Sequence, residues 1–249
     1  MATDCNPQSA KFPIGSSVRI KSSGTLRAFR LPDRLHFPPS AEQVACGGQT
    51  DSVRRIILSV KGDVIYELET APGMWQEQLL EKHMTYCPLP VHVQEALKGI
   101  EPSGGRELLY YPCRAILKSG EAFDAVYIVA EKPYMKHWGV YPENDHGKRW
   151  IKVEDIAEVE ESPIRLPAEF ANEIYRNGES GMGYTIFTIV FADGSRQAYG
   201  MGNAVDFVRY PNDKGPKDIV AVIPHEGRND PTRVDGSEYY WCLYAELCE

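Results

Sequence analysis

The sequence predicts an α+β, β-rich fold in two domains, and three neighbouring signals carry that prediction. The run Tyr184-Thr185-Ile186-Phe187-Thr188-Ile189-Val190-Phe191 is β-branched or aromatic throughout, as a strand covered on both faces would be. A short amphipathic helix precedes it: Pro167 suits a first helical turn, Gly178 suits the position just past the end, and the pairs Phe170/Ile174 and Ala171/Tyr175 share one side. After the strand, Asp193-Gly194 supplies the positive-φ residues of a tight hairpin that returns Arg196 to Met201 beside it. A helix followed by several strands indicates α+β and not the regular βαβ alternation of a nucleotide fold.

From the N-terminus, residues 1–10 are polar and predicted to be a disordered tail. Ile14, Val18 and Ile20 outline a strand, Lys21 to Thr25 a turn, and Leu31 to Pro39, with three prolines, an irregular stretch. Ser40 with Gln43 three residues on is a capping box, opening a short helix that ends at Gly47. Val53 to Val60 and Val64 to Leu68 flank Lys61-Gly62-Asp63 as a second hairpin. The order Gly15-x-x-Val18-Arg19-Ile20, short helix, hairpin ending Tyr66-Glu67-Leu68, then Pro72-Gly73-Met74-Trp75-Gln76-Glu77 resembles a small SH3-like barrel over residues 11–85, of the sort appended to bacterial enzymes and accessory proteins. That resemblance implies a binding module; a fold alone assigns no function.

Residues 86–105 read as a helical connector, with Val93 and Leu97 on one face between Pro90 and Gly99. Residues 106–249 are predicted to form an antiparallel-sheet domain with one or more short helices. Leu108 to Leu117 and Ala125 to Val129 surround Ser119-Gly120-Glu121, Lys132 to Arg149 reads as a long loop, and Ile151 to Val153 and Ile156 to Val159 resume the alternation. Ile219 to Ile223 and Tyr240 to Leu247 complete the strands. The segment Trp138-Gly139-x-Tyr141-Pro142, followed by a strand ending Asp155-Ile156, resembles small bacterial domains of unknown function, some of which occur among immunity proteins that neutralise toxins delivered between bacteria. No functional residue is carried over from either resemblance.

With 249 residues, 43% of them hydrophobic and 25% charged, the composition is that of an ordinary globular chain. The net charge of −8 disfavours long-range attraction to nucleic acid or an anionic membrane and favours a basic protein partner. The apolar runs fall short of the ~20 residues of a membrane helix, and a cytoplasmic location is expected. Six cysteines without a C-x-x-C pair point to reduced thiols.

Chemistry-bearing patterns are few. Gly178 to Gly183 follows a helix and precedes a strand, the reverse of a phosphate loop, and Gly-x-Ser-x-Gly around Ser180 would need glycine where Met182 stands. No clustered ligand pairs indicate zinc; His137, Asp145 and His146 share one segment but fall short of a ligand set. No metal and no cofactor are expected. Cys113 or Cys46 as a thiol nucleophile defines the alternative reading, a hydrolase; a structural subunit of a larger assembly is a third.

Two groups read as partner-binding residues. Tyr134, Trp138, Tyr141 and Trp150 fall in the predicted loop, where stiff aromatic side chains serve as contact area. Glu154, Asp155, Glu158, Glu160 and Glu161 form an acidic run, either a solvated strand edge or a docking face for a cationic protein. With the absence of a catalytic pattern, these groups imply a non-catalytic protein-binding protein; the resemblance of the Trp138 to Ile156 segment implies, more narrowly, an immunity protein that neutralises a basic toxin by occlusion.

Overall fold

The structure, a computed structural model, describes residues 10–29, 38–59, 63–83, 86–105 and 108–246. The N-terminal tail through residue 9, residues 31–37 of the proline-rich stretch, turn residues 60–62, Cys5 and Cys248 lie outside them. The chain divides into two compact units, Met1–Thr85 and Tyr86–Glu249.

The N-terminal unit is built from β1 (Ser17–Ile20), α1 (Ser23–Ala28), α2 (Ala41–Ala45), β2 (Thr50–Leu58), β3 (Val64–Leu68), β4 (Met74–Gln76) and β5 (Leu80–Lys82). The segment read as a turn at Lys21 to Thr25 is instead the start of α1, because Ser22 Oγ accepts from the Thr25 amide at 3.2 Å and caps a helix. Ser40 and Gln43 form the reciprocal capping box of α2. The five strands run antiparallel in the order β4-β3-β2-β1-β5. Strand β2 is shared: its first residues pair with β1, its register shifts between Val53 and Arg55, and the remainder pairs with β3. Such a bulge bends the strand and lets one sheet fold over a common core, here Val18, Ile20, Val53, Tyr66, Leu68, Trp75 and Leu80. Strands β4 and β5 are the two edges; among the described residues no pairing between them closes a barrel.

Among the described residues the C-terminal unit forms two sheets. Its elements are α3 (Val91–Leu97), β6 (Ser103–Gly104), β7 (Leu109–Leu117), β8 (Ala122–Ala130), α4 (Glu131–Trp138), β9 (Arg149–Trp150), β10 (Ile156–Glu160), α5 (Ala168–Asn177), β11 (Thr185–Phe191), β12 (Arg196–Met201), β13 (Ile219–Pro224), β14 (Val234–Asp235) and β15 (Tyr240–Tyr244). The larger sheet follows β10-β7-β8-β15-β9 with β6 added to β7; the smaller follows β13-β11-β12-β14. Helix α5 lies between Pro167 and Gly178, as the spacing predicts, and packs Ala171 and Ile174 on the smaller sheet.

Three further points of the expected outline differ in the C-terminal unit. Residues 86–105 are not a free-standing connector: Val93 and Leu97 of α3 are buried against Cys113, Val126, Ile128 and Val159 of the larger sheet. The long loop contains α4, because Pro133 falls in the first helical turn, where its missing N–H is not required, and Gly139 at φ 70° ends the helix. The sheets are mostly antiparallel, yet β15 runs parallel to both β8 and β9, and β12 parallel to β14. The chain reaches β15 only after building the smaller sheet, and a crossover of that length permits parallel pairing.

Alternation along β8 sends Val126 and Ile128 toward α3 and Tyr127 and Val129 to the opposite face, so the larger sheet is covered on both sides. On the second face Tyr127, Tyr134, Tyr141 and Trp241 meet Ala204 and Phe207 from the connection after β12. Among the described residues no helix is long and apolar enough to cross a membrane.

Candidate functional site

The aromatic residues read as a contact loop are mostly core. Helical spacing puts Tyr134 and Trp138 of α4 on one face, turned toward the sheet. Tyr134 is fully buried with its ring centroid 5.0 Å from that of Trp241, and Trp138 is half-buried 5.8 Å from the same ring. Tyr141 is 2% exposed and its hydroxyl donates to Glu131; Trp150 is half-buried in the same cluster. Lys148 closes over the group, donating to Tyr134 Oη at 3.0 Å with its ammonium 4.3 Å from the Trp138 ring centroid. Burial pushes the Lys148 pKa down, opposed by Asp145. These side chains therefore stabilise the unit and offer little surface.

The acidic run stays at the surface. Strand β10 is an edge of the larger sheet, and α3 covers part of that edge, with His92 Nε2 3.2 Å from the Ile156 carbonyl oxygen. Glu160 pairs with Arg114 at 3.1 Å, and Glu161 pairs with the buried Arg165 at 3.1 Å. Glu154, Asp155 and Glu158 have no cationic partner among the described residues, and Asp155 and Glu158 are exposed.

In the sequence Asp206 is marked only as an acid inside the apolar run Ala204 to Val208. It is fully buried, and its carboxylate accepts from Ser103 Oγ and, at 2.6 Å, from Tyr175 Oη. The Asp206 amide donates to Tyr127 Oη at 3.0 Å, so one residue fastens β6, α5 and β8 together. Burial raises its pKa, against the opposing pull of the Ser103 and Tyr175 hydroxyls and the Arg165 charge. Tyr127 and Tyr175 are pushed well above the ordinary tyrosine range, first by burial and then by that carboxylate. A group so enclosed is a structural hub. Beside it lies a pocket of 280 Å³ lined by Tyr110, His137, Tyr175, Glu179 and Asn203, where Asn203 Oδ1 is buried without a hydrogen-bond partner.

Ser180, set aside on its motif, meets a histidine. Its Oγ lies 2.9 Å from His225 Nδ1, and His225 Nε2 lies 3.2 Å from the Asn177 carbonyl oxygen. With Nε2–H donating to that carbonyl, Nδ1 accepts the serine proton, the first two relations of a nucleophile and its base. His225 is also the one described non-glycine residue at positive φ, 64°. Yet Ser180 Oγ accepts the Ile186 amide at 2.8 Å, and neither side chain lines the 280 Å³ pocket or the larger one beside Tyr184. The pair fastens the turn from residue 177 to residue 186 onto the end of β13.

That larger pocket, of 620 Å³, lies between Tyr184, the end of β12 and the segment from Arg228 to Tyr239. Arg228 donates to Tyr184 Oη and to the Ser180 carbonyl, each at 2.6 Å, and Arg233 donates to the Arg228 carbonyl at 3.1 Å. Isolated loop arginines carry no sequence signal, and neither was singled out above.

The thiol candidates separate by burial. Cys113 is fully buried and its pKa is driven far up by desolvation; Cys242, in the same core, behaves alike. Cys46 is half-buried and its Sγ donates to the Glu42 carbonyl at 3.4 Å. Among the described residues no three His, Cys, Asp or Glu side chains converge to hold a metal ion, and His137 and His146 line different pockets.

No protein-family model, curated protein or solved structure matches the chain.

Proposed function

We propose that this chain is a non-catalytic protein-binding protein that recognises a basic partner through the acidic edge around β10. The observation that carries this reading is that Glu154, Asp155 and Glu158 have no cationic partner among the described residues, while their neighbours Glu160 and Glu161 are held by Arg114 and Arg165. Unpaired carboxylates at an exposed edge, in a chain of net charge −8, steer a cationic protein and hold it in register. The partner class that fits the resemblance of the Trp138 to Ile156 segment is a basic toxin, which an immunity protein occludes.

The N-terminal unit fits the role of an SH3-like module. The strand order β4-β3-β2-β1-β5, the bend of β2 between two pairings and the return of β5 to β1 after the 3-10 turn Glu77–Leu79 support that reading, with the sheet left open. Solution NMR that found β2 straight and the five strands in one flat layer would remove it.

The test of function compares the protein with its Glu154→Lys/Asp155→Lys/Glu158→Lys variant as bait in a lysate of its own host, washed at low and at high salt. The expected result is one stoichiometric basic protein, kept at low salt by the native chain, released at high salt and absent from the variant. Equal retention by the variant would remove the acidic edge from the interface.

A further inference from the structure

We propose that the 620 Å³ pocket beside Tyr184 binds a small organic oxyanion, its phosphate or carboxylate held by Arg228 and Arg233. Both guanidinium groups are positioned by neutral acceptors: Tyr184 Oη and the Ser180 carbonyl for Arg228, the Arg228 carbonyl for Arg233. Neither lies within ion-pair distance of a carboxylate among the described residues, although acids outnumber bases, 35 to 27, in this chain. Each guanidinium carries five N–H donors in a fixed fork, so the donors not spent on these anchors remain to bind an oxyanion.

Glycines let two of the lining side chains, Arg233 and Met201, pack directly against the backbone. A Cβ on Gly200 would come within 3.0 Å of Arg233 Nε, and one on Gly236 within 2.3 Å of Met201 Sδ. Tyr239, also in the lining, is held by the core: its ring meets Tyr127 at 5.1 Å and Trp241 at 5.6 Å between centroids, edge to face in both cases. Tyr184, held by Arg228 with the guanidinium carbon 5.5 Å from its ring centroid, is an exposed aromatic residue of the lining. Asp235 also lines the pocket beside Arg233, its Oδ1 and the Arg233 Nε lying 3.5 and 3.0 Å from the position a Cβ on Gly200 would take, so a ligand carrying only negative groups would be repelled there. The matching ligand carries a planar ring and an oxyanion with a hydroxyl or amino donor near it for Asp235. A pocket of this volume falls within the ~300–1,000 Å³ of small-molecule sites. The site uses none of the acidic-edge residues and stands whether or not that reading holds.

Isothermal titration of the full chain with adenosine monophosphate, L-phenylalanine and inorganic phosphate tests it, the first two separating a phosphate-bearing from a carboxylate-bearing ligand. The expected result is saturable binding of one of the two organic probes, weakened about tenfold or more by Arg233→Gln, since charge-assisted hydrogen bonds are lost. Arg228 also anchors the turn at Ser180, so Arg228→Lys, which keeps the charge and removes the fork, is the second variant; the same loss is expected. No binding of either organic probe at ~10 mM would overturn the proposal. So would affinities unchanged in both variants, or inorganic phosphate binding as tightly as the better organic probe.

Discussion

Tyr175 donates its hydroxyl across 2.6 Å to Asp206, a carboxylate with no exposure to solvent. The bond joins helix α5 to the segment that follows β12, and Ser103 from β6 completes the pair of hydroxyl donors. Enclosure on this scale costs a charged group its hydration, and two hydroxyls return only part of it.

The consequence is a pH-dependent stability with a definite sign. Burial raises the Asp206 pKa above its ordinary 3.8, so in the window just above that value the folded protein binds more protons than the unfolded chain. Stability contributed by this group therefore falls as pH rises through the window. Urea unfolding across acidic pH should show that slope in the native chain and its loss in Asp206→Asn; an identical slope in both would place the titration elsewhere. Asp206→Ala should cost about 2–4 kcal/mol, because the Ser103 and Tyr175 hydroxyls are left unpaired in the core.

Asp51 has the opposite sign. Burial raises its pKa, but amide donors from Ala71 at 2.6 Å, Ser52 at 2.8 Å and Thr70 at 3.0 Å outweigh that and hold it below the ordinary value. Its contribution is present above the unfolded pKa and lost as pH falls through the folded one. Asp51→Asn should destabilise the N-terminal unit by about 1–2 kcal/mol near neutral pH, the group being partly solvated, with the difference vanishing in acid. A difference that persists in acid would assign the loss to shape, not charge.

Local signals were legible where one element could satisfy them alone. Pro167 and Gly178 bound α5, Ser40 and Gln43 cap α2, and Asp193-Gly194 turns the hairpin of β11 and β12, each through contacts within a few residues. Helix α4 was hidden because Pro133 reads as a breaker unless it is known to fall in a first turn. The parallel pairing of β15 with β8 joins Trp241 to Tyr127, and no local period encodes a register across that separation. The candidate sites are hidden for the same reason: Ser103, Tyr175 and Asp206 come from three distant segments, and so do Tyr184, Gly200 and Arg228. The acidic run was visible because its residues are contiguous, but which of them are already paired depends on Arg114 and Arg165.

Thiol reactivity separates binder from cysteine hydrolase. Cys113 and Cys242 are enclosed in one core, and desolvation holds both as neutral thiols at physiological pH. Iodoacetamide should label them in the native protein only as fast as the fold opens, while the half-buried Cys46 and Cys87 react sooner. Rapid selective modification of Cys113 in the folded chain would restore the thiol-nucleophile reading.

The sharpest division between core and contact surface lies at Trp138. Its indole packs 5.8 Å from Trp241 and 6.2 Å from Tyr134 between ring centroids, with the Lys148 ammonium over its face. Full truncation of a buried tryptophan costs about 3–5 kcal/mol, so Trp138→Ala, at a half-buried site, should lower the unfolding free energy by about 2–3 kcal/mol. Glu158→Lys, on the exposed edge strand, should stay within about 0.5 kcal/mol of the native chain while slowing association with a basic partner at low salt. Chemical denaturation of both variants, followed by binding under conditions where each is folded, separates the two roles. If Trp138→Ala left stability unchanged and abolished binding, the aromatic segment would be the contact surface and the acidic edge would not.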